Sequence, residues 1–234
     1  MKAVILAGGL GTRLQPYTTF LPKPMLPLGE KPILEHLVDW TRKNDIKSIV
    51  LCVSYLRKTI EDYFEDVGRF GLKITYAHSE RPLATGGQLK TAEKMLNNRF
   101  ICLYGDSVYD FNLEKMVKGH EKSKAFLSMA LMKYKTRLKY GFIDTNDKGN
   151  IVTAWREKPE VEGLINIGCY IMEKEFLKMI PKSSTIGMDK IVKDVITQKK
   201  KVNAFTIESG FIDIGDKRSY LDAYKKYMKK LGSI

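Results

Sequence analysis

Cysteine is scarce in this chain. The three present, Cys52, Cys102 and Cys169, each sit inside a β-like apolar run, and no Cys-x-x-Cys pair occurs. That excludes a cysteine-based zinc site or a dithiol redox pair and suits buried thiols in a reducing compartment. Histidine is as rare. His36, His78 and His120 have no serine or cysteine partner in a recognisable motif, so no catalytic triad is assigned. No apolar stretch approaches the roughly 20 residues of a membrane span. No leader pattern precedes the first apolar segment, and a cytoplasmic protein is expected. Linkers, low-complexity stretches and internal repeats are also missing. Acidic residues are outnumbered, with 27 Asp and Glu against 40 Lys and Arg, a net charge of +13. The basic surplus is scattered or lies on short solvated faces such as Gln198-Lys199-Lys200-Lys201, without interleaved aromatics. Neither nucleic acid nor membrane is the expected partner, and an anionic small molecule explains part of the excess.

What is present is ample for a core: over 234 residues, 44% are hydrophobic and 10% of the chain is aromatic. That length suits one large α/β domain or two small ones. The chain is organised around residues 2–23. Residues 3–6 are a short apolar run with two β-branched members and read as a buried strand. The run ends at Gly8-Gly9, with Gly11 close behind. Glycines at this density allow close backbone approach to a ligand, and successive exposed N–H groups form an anion-binding nest. Arg13 and Lys23 follow, and a guanidinium with an ammonium suits a polyphosphate. The loop is not the dinucleotide fingerprint, because Leu14 stands where a third glycine belongs. Nor is it a Walker A loop, because no Gly-Lys-Ser/Thr closes it.

The first half alternates strands and helices. Strands are expected at 48–53, 72–77 and 99–104, and helices from Lys31-Pro32, at 57–66, and from Thr85 to about Leu96. Repeated β-α-β units imply a mostly parallel sheet with ligands at the carboxyl ends of its strands. The second half reads as strands at 125–132, 142–145, 151–155, 165–172 and 202–207. Helical stretches are expected at 174–179 and 188–198. A final helix from 217 carries Tyr220, Leu221, Tyr224, Tyr227 and Leu231 on its packing face. One continuous domain is expected, with a first part over about 1–110 that carries the glycine loop and a second part of strands and C-terminal helices over about 111–234, which the resemblance described below makes the nucleotide-binding core and the sugar side. The apolar strands of the second half leave homo-oligomerisation open. Asp106 and Asp213 each follow an apolar run beside a glycine. Either alone reads as a turn residue; as a pair meeting phosphates they suit Mg²⁺, which takes one or two carboxylates plus phosphate oxygens and water.

Leu6-Ala7-Gly8-Gly9-Leu10-Gly11-Thr12-Arg13-Leu14, followed by Pro22-Lys23-Pro24, resembles the signature of the sugar-1-phosphate nucleotidyltransferases, or nucleotide-sugar pyrophosphorylases. Ser79 to Gly87 resembles the family's second nucleotide loop, with Ala84 in place of the usual glycine and Gln88 where a small residue is common. Tyr140-Gly141, Glu157-Lys158-Pro159 and Asn166-Ile167-Gly168 match its sugar-side elements in order and spacing. The resemblance covers residues 3–215.

The resemblance implies an α/β, Rossmann-like, mostly parallel mixed sheet flanked by helices, of the glycosyltransferase-A-like kind. It also implies a smaller sugar-side subdomain, with no room for a β-helix extension. It assigns Leu6, Ala7, Gly8, Gly9, Gly11, Thr12, Arg13, Ser79, Thr85 and Gly86 to the nucleotide, and Asp106 and Asp213 to Mg²⁺. Tyr140, Gly141, Glu157, Lys158, Asn166 and Gly168 fall to the sugar phosphate, with Arg13, Lys23 and Lys158 as the charges acting on the reacting phosphates. The expected substrates are a nucleoside triphosphate (GTP, UTP or dTTP) and a sugar 1-phosphate. Thr85-Gly86-Gly87, Leu164-Ile165-Asn166-x-Gly168-x-Tyr170 and Phe211-Ile212-Asp213-Ile214-Gly215 lean towards mannose-1-phosphate guanylyltransferases. Heptose-1-phosphate guanylyl- and glucose-1-phosphate uridylyl- or thymidylyltransferases are the alternatives. A non-catalytic, nucleotide-sugar-sensing subunit on the same fold, or a basic RNA-binding protein, would be a reading of another class.

Overall fold

The computed structural model describes residues 1–230. In chain order the elements are β1 (Lys2–Leu6), β2 (Pro27–Leu28), β3 (Lys31–Pro32), α1 (Ile33–Lys43), β4 (Ser48–Val53), α2 (Arg57–Tyr63), α3 (Val67–Phe70) and β5 (Lys73–His78). They continue with α4 (Thr85–Thr91), β6 (Phe100–Tyr104), β7 (Ser107–Tyr109), α5 (Leu113–Ser123), β8 (Leu127–Arg137), β9 (Phe142–Thr145) and β10 (Val152–Arg156). The last are β11 (Glu160–Met172), α6 (Met188–Thr197), β12 (Val202–Ile207), β13 (Phe211–Asp213) and α7 (Lys217–Lys230).

Seven strands form one sheet in the order β12-β8-β11-β6-β1-β4-β5. The pairings β12–β8, β6–β1, β1–β4 and β4–β5 are parallel, and β11 alone runs against its neighbours. The interior strand β1 shows why the sheet is buried on both faces. Ala3 and Ile5 join one core cluster, with Leu34, Leu37 and Val38 of α1. Val4 and Leu6 point into the other, with Leu89 of α4 and Ile191 and Val195 of α6. Alternate residues of an apolar strand thus serve two helical layers, as parallel sheets require. A third cluster, including Leu14, Leu28, Ile33, Ile214 and Tyr220, ties α7 to the β2–β3 turn. Leu231, included in the sequence reading of α7, lies outside the described residues.

The mostly parallel α/β architecture is the expected one, and several boundaries differ for physical reasons. α1 opens at Ile33, not Lys31, because Lys31–Pro32 pairs with Pro27–Leu28. The helix expected over 85–96 stops at Thr91 and continues as a 3₁₀ turn, Glu93–Met95. β7 was not anticipated, and of α5 only a helix end near His120 was. β8 and β11 are longer than expected, Leu127–Arg137 and Glu160–Met172. Their extra residues are mostly exposed, so no burial pattern announces them; backbone pairing from Glu160↔Arg137 to Asn166↔Leu131 holds them instead. β11 is antiparallel to β6, with Cys169 opposite Leu103. Residues 160–166 therefore run out past the carboxyl end of β6, about 20 Å at roughly 3.3 Å per residue. The β9–β10 hairpin connects the two strands of this ribbon along the chain and forms a separate two-stranded sheet.

Candidate active site

The glycine loop leaves the carboxyl end of β1 and is fixed from three sides. Gly8 is buried, and its N–H donates to Gln88 Oε1 at 2.9 Å. Gln88 Nε2 donates in turn to the Leu83 carbonyl at 2.9 Å, so one buried amide ties the glycine loop to the loop before α4. Gly11 has φ 64°, the left-handed region, and a Cβ there would come within 2.9 Å of Thr18 and 3.0 Å of the Lys23 side chain. Only glycine fits that turn without strain. The Gly11 carbonyl accepts from Thr18 Oγ1 at 2.9 Å and from the Leu14 N–H at 2.9 Å. Gly9 has open space around it, and Thr12 and Arg13 are exposed on the following 3₁₀ turn.

Lys23 is 8% exposed, and its Nζ donates to Asp106 Oδ2 at 2.5 Å. Asp106 is held there because Gly105 abuts β1: a Cβ on Gly105 would lie 2.7 Å from the Leu6 carbonyl oxygen. A cavity of about 110 Å³ lies between these groups, lined by Leu6, Ala7, Gly9, Lys23, Thr85, Gln88, Tyr104 and Asp106 among others. It is smaller than the roughly 300 Å³ of a typical ligand pocket, so it would serve only as the floor of a larger site at the carboxyl end of the strands. Two roomier clefts, about 580 and 630 Å³, share none of its lining residues.

Asp213 reaches the same region through β13. It pairs with Ser107 of β7, the neighbour of Asp106, and the Ile214 N–H donates to the Asp106 carbonyl at 3.3 Å. Packing around Asp213 and, next, the negative charge of Asp106 push its carboxyl above the usual range; Lys23 and Arg13 oppose that rise. Two carboxylates that repel, with two cations nearby, fit a divalent cation and the phosphates it would accompany. Among the described residues no group of three or more His, Cys, Asp or Glu converges on one point. A cation here would therefore complete its shell with phosphate and water oxygens.

Other expected nucleotide residues are placed differently. Gly86 is buried against Ile186 and Ile191, and its N–H donates to the Ile186 carbonyl at 2.9 Å. It serves packing, and the first turn of α4 does not offer that donor to a ligand. Thr85 lines the cavity while its Oγ1 accepts from the Met188 N–H at 2.8 Å. Ser79 lines a different cleft, its hydroxyl donating to the Arg81 carbonyl at 2.5 Å.

The sugar-side residues form two groups. Asn166 and Gly168 lie at an irregularity in β11, where the register shifts between Asn166 and Tyr170. Asn166 Nδ2 donates to the Tyr170 hydroxyl at 2.5 Å, and Asn166 Oδ1 accepts the Gly168 N–H at 3.1 Å. The Tyr170 hydroxyl is 3.1 Å from that of Tyr104, which lines the cavity. This group is wired to the cavity wall. Tyr140, Gly141, Glu157 and Lys158 stand at the base of the β9–β10 hairpin, where Tyr140 is 78% exposed and Lys158 Nζ lies 3.6 Å from Glu157 Oε1. No hydrogen bond or ion pair among the described residues links them to the glycine loop.

One arrangement went unread in the sequence. His120 Nδ1 is 2.7 Å from Ser128 Oγ, and its Nε2 is 3.0 Å from Glu173 Oε1. Both His120 and Ser128 are fully buried, so no substrate reaches the hydroxyl; the trio links α5 to the sheet. Gln88 was noted only as a departure, and its size and amide are the signal that it bridges two loops.

Residues 2–230 match the family model described as Nucleotidyl transferase. The chain is 35% identical over 234 residues to the D-glycero-alpha-D-manno-heptose 1-phosphate guanylyltransferase of Aneurinibacillus thermoaerophilus, covering 99% of this chain and 98% of that protein. It is 30% identical over 237 residues to the mannose-1-phosphate guanylyltransferase catalytic subunit beta of Danio rerio, spanning 99% of this chain and 66% of that longer protein. Its structure is similar to that of HddC from Yersinia pseudotuberculosis, with a TM-score of 0.76 and 28% identity, covering 97% of this chain and 99% of that one. HddC has also been solved complexed with GMP-PN.

Proposed function

The chain belongs to the nucleotidyl transferase family, whose reaction here joins a nucleoside triphosphate to a sugar 1-phosphate, and within that reaction we propose GTP and a manno-configured sugar 1-phosphate as the substrates. The observation that carries the site reading is the ion pair of buried Lys23 with half-buried Asp106 on the floor beneath the glycine loop. The Thr85-Gly86-Gly87 and Leu164-Ile165-Asn166 motifs support the guanylyl, manno-type lean. Similarity to the heptose enzyme over nearly its whole length favours a heptose as strongly as mannose.

The chemistry asks for positioning and charge neutralisation more than for proton transfer, because the attacking phosphate oxygen is already ionised. In the proposed sequence that oxygen attacks the α-phosphorus in line and pyrophosphate departs. The glycine loop holds the triphosphate, Arg13 takes up charge on the leaving pyrophosphate, and Lys23 faces the reacting phosphates from the floor. Lys158 brings the sugar phosphate from the ribbon side, and Glu157 receives its hydroxyls. Family membership implies a divalent cation, which Asp106 and Asp213 would hold as Mg²⁺ and which would add positive charge between the phosphates.

The test is pyrophosphate release with Mg²⁺, crossing GTP, UTP, dTTP, CTP and ATP against mannose, glucose and heptose 1-phosphates. Turnover confined to GTP with a manno-configured sugar is the expected result. Turnover with UTP or dTTP and glucose 1-phosphate would contradict the assignment. Silence throughout, with nucleotide-sugar binding retained, would point to a sensing subunit.

A further inference from the structure

The two tryptophans of the chain have opposite settings: Trp40 is 6% exposed in the core, whereas Trp155 in β10 is 68% exposed. Leaving an indole of that size wet forgoes a large gain from burial. Trp155 is nevertheless tethered. Its Nε1 donates to Glu157 Oε2 at 3.0 Å, and the other carboxylate oxygen faces Lys158. The indole edge lies over Gly141, where a Cβ would come within 3.1 Å of Nε1 and 3.0 Å of Glu157 Oε2. Directly across the hairpin stands Ile143, so the two apolar side chains share one face. The ring is thus held at one edge and open over the rest. It stands on the hairpin that connects the two strands of the ribbon, which leaves the sheet at the end carrying the glycine loop.

We infer that Trp155 is the platform against which the pyranose ring of the sugar 1-phosphate rests, and that its indole N–H positions Glu157 to receive the sugar hydroxyls. The inference rests on the proposed reaction. A pyranose presents C–H groups on its faces and hydroxyls around its rim. An aromatic face beside a carboxylate complements both. With one oxygen of Glu157 accepting from the indole and the other turned towards Lys158, each keeps a lone pair for a hydroxyl donor. The absence of a side chain on Gly141 lets the carboxylate and the ring edge lie side by side.

Two variants separate the ring from its N–H. Trp155→Phe keeps an aromatic face and loses the bond to Glu157; Trp155→Ala loses both. Because the side chain is exposed, both variants are expected to melt like the wild type. Trp155→Ala should raise the KM for the sugar 1-phosphate about tenfold, and Trp155→Phe about threefold, with the KM for the triphosphate changed less than about twofold. Titrating the wild type with the sugar 1-phosphate should change tryptophan emission, and that response should vanish in Trp155→Phe. A fluorescence response in a wild type that releases no pyrophosphate would defeat the reaction and leave the platform standing. An active wild type whose sugar KM is unmoved by Trp155→Ala, or in which only the nucleotide KM rises, would overturn the platform and leave the reaction intact.

Discussion

The glycine-loop floor and the sugar-side hairpin carry similar residues in opposite surroundings. Lys23 is 8% exposed and bonded to Asp106; Lys158 is exposed, 3.6 Å from Glu157. Around the first, Gln88, Thr18 and Leu14 hold the loop by hydrogen bonds, and core packing surrounds them. Around the second, contacts such as the Leu138 N–H on the Pro159 carbonyl at 3.0 Å and Arg137 Nε on the Lys158 carbonyl at 3.1 Å hold an otherwise solvated ribbon. One half of the proposed site is therefore built by folding. The other is presented on an arm, where a charge pair in water contributes little to stability and stays available to a ligand.

The contrast breaks most visibly at the floor. Asp106→Ala is expected to lower kcat by roughly 10³, as loss of a group acting on developing charge does, and to lower the melting temperature while keeping a cooperative melt, because the nearly buried Lys23 ammonium loses its partner. Steady-state pyrophosphate release beside a thermal melt checks it; near-normal kcat would remove Asp106 from the chemistry. A smaller effect is expected at Gln88. Gln88→Ala leaves the buried Gly8 N–H without its acceptor, at a cost of about 1–3 kcal/mol in urea unfolding, and weakens nucleotide binding with it. An equal variant effect on the sugar KM alone would erase the distinction between the halves.

The smallest effect concerns pH. The Asp213 carboxyl is held above its usual range by surrounding protein and by Asp106. Between the unfolded value and the raised folded value the native state binds more protons than the unfolded chain. Stability from this group therefore falls as pH rises through that window. Asp213→Asn removes the loss. Its melting temperature, relative to wild type, should be near zero difference below about pH 4 and positive at neutral pH, while its activity falls. A difference that shrinks with rising pH would contradict the account.

The same contrast governs what could be read in advance. The strands 48–53 and 202–207 coincide with the sequence reading, because short, apolar or alternating runs announce themselves. The ribbon residues of β8 and β11 did not, since strands wet on both faces carry no apolar alternation. α5, Leu-Glu-Lys-Met-Val-Lys-Gly-His-Glu-Lys-Ser, hides its buried face in three residues, Leu113, Met116 and His120. Arg13, Lys23 and the two carboxylates were proposed from motif and position, and the fold sets Lys23 against Asp106 and Asp213 opposite the neighbouring Ser107. The Lys23–Asp106 bond across 83 residues, and the engagement of Gly86 by Ile186, follow only from the folded sheet.

A calorimetric titration of GTP with Mg²⁺ into Lys23→Ala and Lys158→Ala, beside the wild type, tests the two-part site most directly. The account predicts that Lys158→Ala binds the nucleotide as the wild type does and that Lys23→Ala loses most of that affinity. Comparable loss in both variants would contradict it.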